Sequence, residues 1–283
     1  MPELPDVTVY LECLERRVVG QTLRGIRLGS PFVLRSVQPK LTDAEGKRVD
    51  AVRRLGKRIV LGLEDDLFLV IHLMIAGRLR WRAPGAKLQR KLGLAAFDFP
   101  EGTLVLTEAG SRKRASLHLV LGESELSRHD PGGLDVMTAD LDAFRKALTR
   151  ESHTLKRTLT DPRQFSGIGN AYSDEILHRA RLSPFKKGTR LSSDESKRLY
   201  TATRETLREW TERLRAKVGD GFPEKVTAFH DEMAVHGRYR KPCPICGSPI
   251  QRIVYANNEA NYCATCQTGG KVLADNTTSK FLK

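Results

Sequence analysis

The chain has 283 residues, with 48 Lys and Arg against 34 Asp and Glu, for a formal charge of +14. No apolar run is long enough to span a bilayer, and the N-terminus lacks the basic, apolar and small-residue order of a signal peptide, so neither a membrane-spanning nor a secreted protein is expected. A cytoplasmic chain long enough for two cores, or for one large core, is the expectation that remains.

Both halves are basic: 22 Lys and Arg face 17 Asp and Glu before residue 136, and 26 face 17 from there on. The excess is therefore not a tail. A solvated basic surface is the ordinary explanation, and a ribosome-associated or membrane-surface protein is a competing class. Nucleic acid accounts best for this charge, because neutralising several phosphates releases counterions and drives association.

The opening, Met1-Pro2-Glu3-Leu4-Pro5-Asp6-Val7, places two prolines and two carboxylates ahead of an apolar-periodic run. Removal of Met1 leaves a secondary amine with a carboxylate beside it. An α-amino group has a reference pKa near 8, so part of it is neutral and nucleophilic at pH 7. Such an amine forms a covalent iminium with a carbonyl-like carbon, and Glu3 can serve as acid and base for the same centre. The plainer reading is that Pro2 suits methionine removal, Pro5 starts a helix, and Glu3 and Asp6 are first-turn acids.

Apolar residues at helical spacing predict a helix over 7–19, ended by Gly20, with Cys13 as a core thiol. Eight short apolar or β-branched runs then follow: 22–28, 48–55, 58–63, 67–73, 78–81, 94–99, 103–106 and 115–121. Turn signals divide them, and together they predict an antiparallel sandwich or flattened barrel. Lys57 sits at a strand start bracketed by Arg53, Arg54 and Arg58, so it reads as facing phosphate as readily as solvent. His72 lies in an apolar run, where a satisfied edge histidine is the ordinary case; Met74 and Ile75 read by default as core.

At Asp130-Pro131-Gly132-Gly133 the pattern breaks, and helices are predicted over 140–148, 153–159, 171–180 and 194–218. Between two of them, Gly167-Ile168-Gly169-Asn170 opens a helix with small residues, which suits a phosphate site and equally an ordinary glycine turn. Residues 219–223 read as part of a mobile loop. Cys243-x-x-Cys246 and Cys263-x-x-Cys266 have the spacing of a structural Zn²⁺ site with two knuckles in a reducing compartment. The intervening 249–255 and 261–262 read as ribbon strands, 256–260 as the turn between them, and 271–283 as a basic tail.

In this order the pieces resemble the formamidopyrimidine-DNA glycosylase/endonuclease VIII family of base-excision repair enzymes. The resemblance rests on Pro2-Glu3-Leu4-Pro5, on Lys57, on residues 167–177, and on Gly237-Arg238 running into the cysteine motif. It implies an α+β multidomain fold: a β-sandwich with an N-terminal helix over 1–133, a helix–two-turn–helix domain over 134–236, a zinc ribbon over 237–270, and the tail. It also implies a monomer that holds one structural Zn²⁺ and binds damaged or abasic double-stranded DNA in a cleft between the halves, associated with the nucleoid when bound.

By the same resemblance Pro2 attacks C1′ of the damaged nucleotide and Glu3 protonates the sugar ring oxygen. Lys57 and Asn170 match family positions that grip phosphates, and Lys156 matches a lysine near the flipped base. His72, Met74, Arg112 and Asn258 complete the expected DNA contacts. Some positions depart from the family pattern. Asp6 replaces a glutamate, and Asn258 stands where the family's zinc ribbon carries a phosphate-clamping arginine. Glu108–Ala115 replaces a wedge with an Asp-Pro-Arg-Arg-Phe core, leaving Arg112 or Arg114 to enter the stack and Met74 or Ile75 to fill the gap. These departures imply a lesion preference other than oxidised guanine. A damaged-DNA binder with little excision activity is the second reading, and a zinc-ribbon RNA-binding protein is a third.

Overall fold

A computed structural model describes residues 1–110, 112–224, 226–227, 229–255 and 258–274, with only the backbone described at 255 and 258. The chain divides into two compact units, residues 1–131 with 211–227, and residues 132–210 with 228–283.

The first unit begins with α1 (Leu4–Val18), which starts three residues earlier than the apolar spacing predicts. Glu3 is its N-cap residue, in extended backbone, and donates its N–H to Asp6 Oδ2 at 2.9 Å, while proline occupies the first turn. Proline is tolerated there because its missing N–H would have had no helical partner.

All eight predicted strands form: β1 (Gly25–Leu28), β2 (Val49–Leu55), β3 (Arg58–Leu63), β4 (Leu67–His72), β5 (Gly77–Arg82), β6 (Gly93–Phe99), β7 (Gly102–Glu108) and β8 (Ser116–Leu121). They make two four-stranded antiparallel sheets, ordered β1-β6-β7-β5 and β2-β3-β4-β8. Ile59, Leu61, Leu69 and Ile71 of the second sheet share one core with Leu79, Phe97, Leu104 and Leu106 of the first. The apolar face of α1 (Val7, Tyr10, Leu14, Val18) closes that core.

β3 and β4 are buried along nearly their whole length and do not alternate. The reason is a short helix that the sequence reading missed, α2 (Glu123–Ser127), whose Leu126 packs on Val60, Phe68, Val70 and Val120 on the other face of the sheet. A strand covered on both faces reads as a continuous apolar run.

The segment after residue 218 is held, contrary to the predicted mobile loop. Arg17 donates to the carbonyls of Asp220 and Gly221 at 2.8 and 2.9 Å, Phe222 packs against Tyr10, and Glu224 pairs with Arg80 and Arg82.

The second unit holds α3 (Leu141–Thr149), α4 (Leu155–Thr160) and α5 (Asn170–Arg179). The long helix α6 (Ser193–Val218) contributes to both units. The zinc-ribbon hairpin of β9 (Ile250–Tyr255) and β10 (Asn258–Cys263) follows in the second unit, and α7 (Ala264–Thr268) comes after it. Asn258 pairs with Tyr255, so Asn258–Ala260 belong to a strand and not to the predicted turn; the tip, 256–257, lies outside the described residues. The predicted tail begins in an ordered way, because Leu273 N–H donates to Tyr262 Oη at 2.7 Å; residues 275–283 lie outside the described residues. Among the described residues no helix is long and apolar enough to cross a membrane.

Between β4 and β5 the chain turns through Leu73–Gly77, where Gly77 N–H donates to Leu73 O at 2.9 Å. A Cβ on Gly77 would lie 2.2 Å from that carbonyl oxygen, so no other residue fits. Gly77→Ala is therefore expected to cost about 1–3 kcal/mol of stability, the usual range for overpacking. Urea unfolding against wild type checks this.

Candidate active site and nucleic-acid contacts

In the first unit the site starts at the buried N-terminus. Pro2 is buried, and Glu3 is 3% exposed and Asp6 4%. Burial pushes the α-amine of Met1 below its ordinary value; Glu3 opposes this, Arg78 adds to it, Asp6 opposes it, and Lys57 adds to it. Glu3, Asp6, Lys57 and Arg78 thus act on the Met1 amine, one residue before the Pro2 nitrogen. Lys57 occupies the two-residue turn between β2 and β3, where Leu55 pairs with Arg58 and Gly56 takes φ +62°. The turn thrusts Lys57 beyond the sheet edge and does not start the strand with it.

Arg78 was not singled out from the sequence. Its guanidinium donates to the carbonyls of Val226 (2.5 Å), Gly77 (2.6 Å) and Ile75 (3.1 Å). These acceptors carry no formal charge, and the positive field of Arg78 bears on the Met1 amine and on Asp6.

His72 ends β4, paired with Arg58 and Ser116. Burial chiefly, then Arg58, Lys57 and His118, lowers its pKa to about 4. The ring is neutral at physiological pH, so as a DNA contact it offers a hydrogen bond and no charge. Met74 is half-buried in left-handed backbone, φ +52°, a conformation that costs a side-chain-bearing residue energy and persists only when its surroundings impose it. Its neighbour Ile75, also read as core, is instead 57% exposed and is the apolar tip of this turn. Arg112 and Arg114 are exposed, and residue 111 between Gly110 and Arg112 lies outside the described residues. The base of this segment is fixed by buried Glu108, another residue not singled out, which accepts N–H groups of Arg114 at 2.8 Å and Ala115 at 3.1 Å.

In the second unit Gly169 is the N-cap residue of α5, and Asn170 is half-exposed at its first turn. Lys156, predicted to lie near the flipped base, is 1% exposed. Its three N–H donors meet Asn170 O (2.6 Å), Ser173 Oγ (2.9 Å) and Asp174 Oδ1 (2.6 Å). An ammonium with all its donors used inside the protein has none left for DNA. The expected contact is corrected to an internal one that holds the loop. Next to it, Glu175 accepts backbone N–H groups of Ala234, Val235 and His236 at 2.7–2.9 Å, fixing the strand of chain that leads to the first knuckle.

The four cysteine sulfurs lie within 4.8 Å of one another. Tetrahedral Zn²⁺ with bonds of about 2.3 Å requires sulfurs about 3.8 Å apart, and Cys243–Cys266 at 3.9 Å and Cys246–Cys263 at 3.4 Å suit it. His178 Nε2 approaches Cys243 Sγ to 3.3 Å, placed to donate to a thiolate. Four protein ligands leave no open coordination position, so the ion is structural. The side chain of Asn258 lies outside the described residues.

The chain thus joins a β-sandwich whose N-terminal residues Pro2, Glu3 and Asp6 are buried to a helical unit that carries a four-thiolate ribbon. Comparison with known proteins is specific. Residues 1–131 match the formamidopyrimidine-DNA glycosylase N-terminal domain, 133–218 the formamidopyrimidine-DNA glycosylase H2TH domain, and 240–269 the zinc finger found in FPG and IleRS. A formamidopyrimidine-DNA glycosylase of Thermus thermophilus is 35% identical over 283 residues, covering 95% of this chain and 100% of that protein. The crystal structure of the Thermus thermophilus protein superposes with a TM-score of 0.79 at 32% identity, covering 96% of this chain and 100% of that one. The Lactococcus lactis protein in complex with DNA containing an abasic site gives a TM-score of 0.82 at 26% identity, covering 94% and 99%. The chain belongs to the formamidopyrimidine-DNA glycosylase family.

Two outcomes follow from the buried charges. Burial raises the Asp6 carboxyl to about 7, partly offset by the Glu3 N–H, so the folded state holds this proton more tightly than the unfolded state does. Wild type therefore loses stability as pH rises from about 4 to 7, and the loss is complete above that. Asp6→Asn keeps an oxygen for the Glu3 N–H and buries no charge; its melting temperature relative to wild type should be higher at pH 8 than at pH 5. Lys156→Met leaves Asp174 buried without its cation and should cost about 3–5 kcal/mol in urea unfolding.

Proposed function

We propose that this enzyme excises a damaged base from double-stranded DNA and then cleaves the strand by β-elimination, with Pro2 as nucleophile and Glu3 as acid and base. The observation that carries this reading is the N-terminal segment, where Pro2, Glu3 and Asp6 are buried and the field of Lys57 and Arg78 reaches the Met1 amine one residue before Pro2. After Met1 is removed, the Pro2 nitrogen attacks C1′ as the base departs with the electrons of its bond to C1′ and takes up a proton; the nitrogen then gives up its own proton, Glu3 protonates the ring oxygen, and the C1′–O4′ bond breaks to leave the Pro2–C1′ iminium. The target carbon is reachable once the nucleotide leaves the stack. The resulting iminium acidifies C2′; loss of that proton expels the 3′ phosphate, and water then hydrolyses the Schiff base. A proline iminium has no N–H to lose, so it remains an electron sink throughout.

Lys57 and Asn170 hold backbone phosphates on either side of the lesion, His72 donates a neutral hydrogen bond, and Ile75 or Met74 with Arg112 occupies the space that the flipped base leaves. Lesion preference differs from oxidised guanine, since the wedge from Glu108 to Ala115 has no aromatic plug. Elimination stops at the β stage, because Asn258 offers neither the charge nor the bidentate fork of an arginine. The enzyme works as a monomer on nucleoid DNA.

Borohydride trapping on a duplex with one abasic site tests the mechanism. Protein shown by intact mass to begin at Pro2 should give a covalent complex with the adduct mapped to Pro2, and Pro2→Gly should sharply reduce it. Glu3→Gln should lower base release on a lesion panel by about 100-fold or more. No trapped complex from protein that binds the same duplex would sink the Schiff-base mechanism and leave a lesion-binding protein. A gel showing 3′ phosphate ends would refute the arrest at β-elimination.

A further inference from the structure

The loop that opens α5 is tied from behind. Ser173 Oγ donates to Gly169 O at 2.6 Å, and Lys156 Nζ donates to Asn170 O at 2.6 Å. In a planar trans peptide the carbonyl and the following N–H point in opposite directions. Anchoring Gly169 O therefore fixes the direction of the Asn170 N–H, and anchoring Asn170 O fixes the peptide that follows. Both anchors depend on Asp174, because Lys156, which also donates to Ser173 Oγ, is held to Asp174 Oδ1 at 2.6 Å.

The other oxygen of Asp174 is held by the zinc-ribbon part of the chain. Oδ2 accepts from His236 Nδ1 at 2.8 Å and from Asn261 Nδ2 at 3.1 Å. Asn261 lies in β10, two residues before Cys263, and its amide nitrogen also donates to Glu259 Oε1 at 3.0 Å, which fixes the orientation of the amide. His236 is placed by the bond from its backbone N–H to Glu175 and by stacking of its ring on Phe229 at 5.3 Å. Lys156, Asp174, His236 and Asn261 are all buried, so water cannot substitute for any of these bonds.

We propose that Asp174, His236 and Asn261 are positioning residues that lock the Gly167–Asn170 loop to the zinc ribbon, so that the loop meets a DNA phosphate already set by the ribbon's fold. This rests on the reading of Asn170 as a phosphate contact given above. None of the three residues touches DNA; they act through Lys156 and the peptide planes of Gly169 and Asn170.

The test uses the full-length, zinc-loaded protein and a duplex carrying a tetrahydrofuran abasic-site analogue. His236→Phe keeps the stack on Phe229 and removes the hydrogen bond; Asn261→Leu removes the other at similar volume. Together they should weaken binding about tenfold and reduce the slope of log K against log salt by about one, the signature of one lost phosphate contact. The trapping rate on abasic DNA at saturation should stay within about twofold of wild type, with one zinc per chain retained. Adding Asn170→Ala should cost nothing further, and His236→Asn, which keeps a donor, should recover most of the affinity. If the double variant does not fold, Asn261→Ser carries the same cycle with one bond removed. Unchanged affinity and slope in a folded, zinc-loaded variant, or losses that multiply with Asn170→Ala, would overturn the proposal. If Asn170→Ala alone changes neither affinity nor slope, the phosphate reading of Asn170 itself is wrong. That result is distinct from one in which Asn170→Ala weakens binding and the ribbon variants do not.

Discussion

A carboxylate removed from water must be held by cations or N–H donors, or it takes up a proton. That constraint organises both units of this enzyme. Asp174 is the extreme case: it is buried completely and held by Lys156, His236 and Asn261, which come from α4, from the approach to the first knuckle, and from β10. Glu175 beside it holds three consecutive backbone N–H groups. Two adjacent acids in the middle of α5 therefore join it to segments about sixty to ninety residues further along the chain. Apolar packing alone would tolerate some sliding of these segments, whereas hydrogen-bonded charges in a low-dielectric interior tolerate very little.

The first unit meets the same constraint differently. Asp6 is buried with one backbone N–H and no cation within bonding distance among the described residues, and its pKa rises to about 7. Glu3 and the amine share that environment, with Arg78 and Lys57 supplying positive field. The same burial lowers the Met1 amine and raises the Asp6 carboxyl, so the two shifts fall within the first six residues. Perturbed groups gathered at one point are the usual mark of a catalytic site.

Most of the fold was legible because it follows local rules. Turn signals and apolar runs delimited eight strands, all of which form, and cysteine spacing identified the ribbon. Pro2 and Glu3 could be singled out as candidates for a similar reason, since they are adjacent in the sequence. What escaped the reading was long-range. Lys156 looks like any lysine on a short helix until Asp174, eighteen residues on, is seen to take its charge. Glu108 lies beyond the predicted strand and reads only as the start of the altered wedge; the return of the chain at Arg114 and Ala115 gives it partners. Residues 219–224 have the composition of a mobile loop, and they are held by Arg17, Tyr10, Arg80 and Arg82, which lie far away in the sequence. Glycine-rich composition reports the entropy a segment can lose, and says nothing about the contacts that make it lose it.

The departures from the family pattern are local, and where they lie at the surface the backbone beneath them is fixed. The segment from Glu108 to Ala115 illustrates this division: its base is fixed by a buried carboxylate, and its arginines at 112 and 114 are exposed. The turn at Leu73–Gly77 repeats it, with a glycine that admits no side chain at one end and an exposed Ile75 at the tip. A rigid base under an exposed tip lets the side chains of the tip vary without shifting the backbone beneath them. The turn at Leu73–Gly77 is nonetheless tied to the N-terminal segment, because Arg78, whose field reaches the Met1 amine, donates to the carbonyls of Ile75 and Gly77 in that turn.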